Sequence, residues 1–393
     1  MDKKRNAYVL GMVAAWALSA CGSPESVSVK VTNPLPLERQ GELVELAWKE
    51  VLERLPGLET NRLVIVDENG QEVPYQLTYD EQIIFPVAVK GKASTVYRLQ
   101  EGQPQPIDTV AWGRMFPERV DDLAWENDRM AYRAYGPALQ ASGERAFGYD
   151  VWTKSVAYPV VEDRYDKELN QHISYHVDHG NGMDCYAVGP TLGAGTAALF
   201  PDTTLVYPYG YRTCEVLDRG PLRFTARLVY GPLQVKGDSS VVETRLITLN
   251  QGSQLNKTVL TYEGLQEVTP LAAGIVLHKE HPDGYYQDAG AGIIAYADST
   301  QNARNGNGVI HVGAVCPASV TTRVQWFSQA EQRQRGGALG HVLAIVDYQP
   351  GSTYTYYWGA GWSKYGFPTE ADWHRYLARF ADQLKHPLTV AWE

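Results

Sequence analysis

The feature that most restricts this chain is the recurrence, from about residue 106 onward, of short alternating runs separated by turn formers. Leu222-Arg223-Phe224-Thr225-Ala226-Arg227-Leu228-Val229-Tyr230, Ser240-Val241-Val242-Glu243-Thr244-Arg245-Leu246-Ile247-Thr248-Leu249 and His341-Val342-Leu343-Ala344-Ile345-Val346 are examples. Period-two alternation puts successive side chains on opposite faces of an extended strand. Runs of this size and frequency argue for antiparallel sheets rather than strand-helix-strand units. The expected fold is therefore mainly β, with a large antiparallel β-sandwich of supersandwich-like type over residues 106–393. Ahead of it, residues 31–105 carry strand-like runs at Leu63-Val64-Ile65-Val66 and from Ile83 to Val89, with the turn Glu68-Asn69-Gly70 between them. They read as a small N-terminal β-sandwich. The spacing of Leu43, Ala47, Val51 and Leu55 predicts one short helix there, and Glu101-Gly102-Gln103-Pro104-Gln105-Pro106 reads as a linker. A C-terminal helix is expected after Thr369 as N-cap, with Trp373, Tyr376, Leu377, Phe380 and Leu384 as its packing stripe and Pro387 beyond its end.

The start of the chain bears on compartment. Lys3, Lys4 and Arg5 precede an apolar run from Ala7 to Ala20 that ends in Leu18-Ser19-Ala20-Cys21. That run is short for a membrane span and fits a cleaved lipoprotein signal over 1–20, with lipidation at Cys21 and a tether over 21–30. A plain secretory signal is the alternative. The expected location is the cell envelope, on the periplasmic side or the outer membrane, touching lipid through the anchor alone. The whole chain has 35 basic and 45 acidic residues; without the leader, which holds three bases and one acid, 32 face 44. That balance excludes nucleic acid as an expected partner and requires a local basic pocket for any acidic ligand. Cys185, Cys214 and Cys316 remain; Cys185 with Cys214 is a candidate bridge that spacing alone does not establish. The 25 Tyr and 10 Trp against 8 Phe suit a sugar-stacking surface or a tyrosine-rich sandwich core equally.

The stretch His172-Ile173-Ser174-Tyr175-His176-Val177-Asp178-His179-Gly180-Asn181 concentrates titratable groups. Read as a strand, it puts Ile173, Tyr175 and Val177 on a core face and His172, Ser174, His176 and Asp178 on a wet one, entering a tight turn at Gly180-Asn181-Gly182.

Three separated segments resemble one family. They are Glu118 to Arg129, then Tyr175 to Gly180 with Asp184, Tyr186 and Gly189-Pro190-Thr191, and finally Tyr357-Trp358-Gly359-Ala360-Gly361-Trp362-Ser363-Lys364. In this order they resemble the domain of unknown function 4861, a family of secreted bacterial proteins found among polysaccharide-degrading ones. The resemblance implies an oligosaccharide dehydratase acting on the non-reducing-end uronic acid of an acidic oligosaccharide such as those of ulvan. Its product is a 4,5-unsaturated sugar, and no cofactor is implied.

Taking the C5 hydrogen and expelling the C4 hydroxyl requires a base, an acid, and cations or donors that neutralise the adjacent carboxylate. The chain offers His176 and His179 as bases and Tyr186 as proton donor. Arg129, Lys154 and Arg212 are candidate carboxylate partners, with Tyr209 and Tyr211 (and Tyr207) as a stacking platform and His278 as a cleft residue. Each has a structural reading beside it: hydrogen-bonded surface histidines, a packed tyrosine, ion pairs of Arg129 with Glu126 or Asp128. Three alternatives stay open. Asp178, Asp184 and Glu126 offer carboxylates for a glycoside hydrolase, with a polysaccharide lyase as a further cleaving enzyme. His172, His176 and Asp178 offer a divalent metal site, although neighbours on one strand face lie nearly 7 Å apart. A non-catalytic glycan-binding lipoprotein is the third.

Overall fold

The computed structural model describes residues 26–301 and 303–393. The leader and Cys21 lie outside the described residues. Five helices interrupt a mainly antiparallel β fold: α1 Trp48–Arg54, α2 Pro137–Ser142, α3 Val161–Gln171, α4 Gln329–Gln334 and α5 Glu370–Lys385.

The first body packs a five-stranded sheet on a three-stranded one. Its core is Val29, Val31, Leu63, Ile65, Phe85, Val87 and Leu99, closed by Val51 of α1. The expected helix over Leu43–Leu55 is half right. Arg39–Ala47 is a strand paired with Gln82–Val89, and the chain turns helical only at Trp48. Leu43 and Ala47, spaced as on a helix, also share one half-buried face of this strand, Val44 and Leu46 alternate inward on the other, and the long partner strand decides the matter. One strand of this body comes from the far end of the sequence: Thr389–Trp392 pairs with Ser26–Thr32, setting Val29 opposite Trp392.

The second body is built on an eight-stranded sheet. Along it run Arg223–Val235, Asp238–Asn250, Leu255–Glu263, Tyr354–Trp362, Ile310–Val315 and Ile293–Asp298 in spatial order, with Thr213–Arg219 and Tyr285–Asp288 at the edges. Strand Asp238–Asn250 alternates buried and half-buried from Val241 onward, as a sheet with one dry face requires. Two four-stranded sheets share its core. Trp125 and Tyr132 come from one, Leu271, Ile275 and Val342 from the other, and Phe224, Leu260 and Trp358 from the large sheet. Tyr149 stacks on Trp358 at 3.9 Å. Helix α5 covers the large sheet's outer face. Thr369 caps it in a reciprocal capping box with Asp372, and Trp373, Leu377 and Ala381 bury against Ile293, Ala295 and Val315. Each large apolar side chain so buried contributes about 1.5–3 kcal/mol. Gly313 makes the close approach workable, since a Cβ there would lie 2.7 Å from a Leu377 methyl.

Candidate active site

The loop that carries the histidines is set by α3 and not by a strand. Glu126, fully buried, accepts backbone N–H bonds from Val160 and Val161 at 2.8–2.9 Å and so anchors the helix start with a carboxylate, where the helix dipole favours one. The helix runs to Gln171, and His172 closes it in the left-handed conformation. Residues 172–183 then fold irregularly. The Asp178 carboxylate takes the N–H groups of Gly180 and Gly182, Tyr175 buries against Trp152 at 4.7 Å, and Ile173 and Val177 stay exposed. The strand expectation fails because local side-chain-to-backbone bonds satisfy this backbone, which therefore needs no ladder. The His172, His176 and Asp178 metal face disappears with it. Among the described residues no group of three His, Cys, Asp or Glu side chains is placed to hold a metal ion.

Four sequence candidates fall into two contacting pairs, His176 with Asp184 and Tyr186 with His278. His176 is half-exposed, and its Nδ1 lies 3.0 Å from the Asp184 carbonyl oxygen. A carbonyl only accepts, so Nδ1 carries a proton, with the Asp184 carboxylate 3.6 Å away, and in the neutral ring the lone pair is on Nε2. Two residues beyond Asp184, Tyr186 is buried, and its hydroxyl has no partner among the described residues. Its ring lies 6.2 Å from that of His278, whose Nδ1 meets Asp298 Oδ2 at 2.7 Å. Burial alone would lower the His278 pKa, but the charge and hydrogen bond of Asp298 raise it above the usual imidazole value. Burial, then the Asp298 charge, push the Tyr186 phenol well up, so it keeps its proton.

Beneath these groups lies a buried charge cluster. Arg133 donates to Asp184 at 3.1 Å, pairs with Asp150 at 2.5 Å and stands 3.7 Å from Asp122. Burial outweighs the charges of Arg133 and its neighbours Arg119 and Arg164 and pushes all three pKa values up, Asp122 to about 6 and Asp150 to about 7. Both Asp150 oxygens are nevertheless committed to donors, Val151 N–H on one and Trp152 Nε1 with Arg133 on the other. The Oδ1 atoms of Asp122 and Asp184 are unpartnered, so the shared proton belongs there rather than on Asp150. The folded-state pKa lies above the unfolded value near 4, so this stability is complete at low pH and is lost as pH rises through about 6. Thermal stability is thus expected to fall between about pH 4 and pH 6, with a contribution on the order of 2–3 kcal/mol from this cluster. Asp122→Asn should flatten that slope in melts across the range; an unchanged slope would place the proton elsewhere.

Arg119, at the rim, is half-buried and donates to the Tyr175 hydroxyl at 3.1 Å, with no carboxylate in ion-pair reach among the described residues. The His176 ring packs on the same Tyr175 at 4.6 Å, so the Arg119 guanidinium, which also feels the charge of Asp122, and the imidazole flank one tyrosine.

The remaining sequence candidates lie elsewhere. Lys154 is wholly buried and bonds Glu126 at 2.5 Å and the Asn127 carbonyl at 2.6 Å, so it is a core ion pair and not a substrate contact. Arg129 sits on the hairpin at the opposite end of strand Met130–Ala134 from Arg133 and pairs with Asp128 at 3.2 Å. His179 bonds the Ser174 carbonyl on the exposed loop. Tyr209 packs on Phe147 and donates to the Glu144 carbonyl; Tyr211 is buried, donating to the Asp121 carbonyl; Tyr207 lies under Arg335. The three tyrosines form no platform, and Arg212 is exposed at the loop's end. Cys185, Cys214 and Cys316 are free thiols. Sequence reasoning missed Arg119, Arg133, Asp150 and Asp298. Arg133 inside an apolar run and Asp298 ending one were the available signals, since a charge in such a run must find a partner.

A relative from Formosa agariphila, "Uncharacterized protein P7", is 26% identical over 400 residues, covering 97% of each chain. Two solved Enterococcus faecalis structures, a glycosyl hydrolase family 38 protein and an alpha-mannosidase, superpose over 94% of this chain. Both are 8% identical, with TM-scores of 0.47 and 0.48. The chain spans about half the length of those two proteins, 47% and 46%. The family model described as Domain of unknown function (DUF4861) matches residues 31–390, nearly all of the sequence, and the chain belongs to that family.

Proposed function

We propose that this protein is a carbohydrate-active lyase of the dehydratase type, acting on the uronic acid at the non-reducing end of an acidic, ulvan-like oligosaccharide. The observation that carries this reading is the fixed tautomer of His176, whose Nε2 is free to accept a proton in a solvent-reachable position. In the proposed step that nitrogen takes the C5 hydrogen, Arg119 neutralises the carboxylate beside the developing negative charge, and the C4 hydroxyl departs with a proton from His278 or Tyr186. One C–H and one C–O bond break, a C4–C5 double bond forms, and water leaves; no oxidant is needed. Asp298 favours the acid role by raising the His278 pKa against the effect of burial, and burial holds the proton on Tyr186.

The hydrolase alternative is less well supported. Of its three candidate carboxylates, Glu126 and Asp184 are buried and committed to Lys154 and Arg133, and Asp178 spends Oδ1 on the loop backbone. In the same proposal Cys21 anchors the protein in the cell envelope, facing polysaccharide fragments. The test is incubation with uronate-ended ulvan oligosaccharides, following ultraviolet absorbance of the unsaturated uronate together with reducing ends. New absorbance without new reducing ends is expected. Absorbance with chain scission means a polysaccharide lyase, reducing ends alone a hydrolase, and retention without product a binding protein.

A further inference from the structure

The strand end that presents His278 continues into a second surface. Lys279 is three-quarters exposed and, with Gln332, Arg333 and Leu339, lines an open hollow of about 410 Å³ beside α4. Two backbone bonds fix its wall: Leu339 N–H to the Leu277 carbonyl, and Phe327 N–H to the Leu339 carbonyl, both 2.8 Å. Immediately before Phe327 stands Trp326, the last residue of its strand, with 52% of its surface in water. It pairs with Gly340, which pairs with Leu277, so the indole lies two strands across from the residue preceding His278. Tyr285 meets it edge-on at 6.2 Å and pairs with Tyr296, whose hydroxyl accepts the His278 N–H at 3.0 Å.

A half-exposed indole braced by a tyrosine is a flat apolar face maintained in water. The cations of the hollow are available. Arg333 makes no ion pair among the described residues, and Lys279 reaches only Glu280, at 3.9 Å. Glu331, on the same helix as Arg333, is committed to the Ser328 N–H and hydroxyl. On a chain of net charge −10, unpaired cations in a hollow whose wall continues through Phe327 to the exposed Trp326 are complementary to an anion that also has an apolar side.

We propose that this surface is a distal subsite of the same cleft. It holds sugar units beyond the reacting residue, with Trp326 and Tyr285 stacking on a sugar face and Lys279 and Arg333 taking its anionic substituents, carboxylate or sulfate. This rests on the reading of the His176 site as one for acidic oligosaccharides. The subsite makes longer substrates bind more tightly than the shortest one.

The test uses the full-length protein, a disaccharide and a hexasaccharide prepared from ulvan, and the double variant Trp326→Ala/Arg333→Ala, both positions being exposed. Hexasaccharide binding to a His176→Ala background, measured by calorimetry, should weaken about tenfold or more in the double variant, as expected for a lost charged hydrogen bond and a lost stacking face. Disaccharide binding should not change, and the melting temperature should stay within a degree or two of the parent. Unchanged hexasaccharide affinity, or equal weakening of the disaccharide, would overturn the subsite. Carboxyl-reduced and desulfated hexasaccharides then assign the anion, and full affinity for both would also overturn it. The two readings fail separately. Trp326-dependent binding without any turnover removes the dehydration and keeps the subsite, whereas turnover with no length preference does the reverse.

Discussion

His176→Ala should lower turnover by about 10²- to 10⁴-fold, the usual contribution of a positioned general base, while leaving the fold intact. The imidazole is half-exposed, its one side-chain hydrogen bond goes to a backbone carbonyl that water can serve equally well, and the Asp184 carboxylate 3.6 Å away keeps Arg133, so removing the ring leaves the fold intact. Matching melts for parent and variant, together with the absorbance assay on a uronate-ended oligosaccharide, separate chemistry from stability. His176→Gln is the sharper variant, because its amide can restore the bond to Asp184 without supplying a base, and it should be as inactive as alanine. Residual turnover within about tenfold of the parent in a well-folded variant would remove His176 from the mechanism.

The largest stability effect is expected at Glu126. Its carboxylate serves the Lys154 ammonium and two backbone N–H groups at the start of α3, all out of water. Glu126→Ala leaves a buried ammonium with only the Asn127 carbonyl and should cost about 3–5 kcal/mol. Burial already pushes the Lys154 pKa below its usual value, so in that variant the group is expected to shed its proton. Lys154→Met should be milder, because the carboxylate left behind keeps its backbone donors. Urea unfolding of the two single variants and of Glu126→Gln/Lys154→Met measures the asymmetry. A double variant more stable than Glu126→Ala is the expected order, and equal losses in both single variants would contradict it. Since α3 leads into the loop bearing His176, Glu126→Ala should also reduce activity.

What the sequence made legible follows from where each signal originates. The long alternating strands, such as Asp238–Asn250, declared themselves because a half-wet sheet imposes its period on the side chains. Helix α5 did so because both halves of its capping box, Thr369 and Asp372, are local. By contrast, the alternation across 172–178 is incidental: of the three residues on its apolar parity only Tyr175 is buried. The preceding helix went unread, its inward residues Val161, Arg164 and Tyr165 being two polar-headed groups and one valine. In the site itself, the tautomer of His176 and the charge of His278 depend on Asp184 and Asp298, partners supplied by tertiary folding that no spacing rule connects. Lys154 misled for the same reason, because a lysine beside a tryptophan reads as surface until its buried acid is known.

The pairing of Thr389–Trp392 with Ser26–Thr32 has a consequence for biogenesis. A polypeptide emerging amino end first displays the Val29 and Val31 edge long before its cognate strand exists. The opening module therefore stays incomplete, with an adhesive border, until synthesis has released the final residues. Order of emergence and order of completion are thereby uncoupled, and a shielding factor acting on that early border would guard the interval.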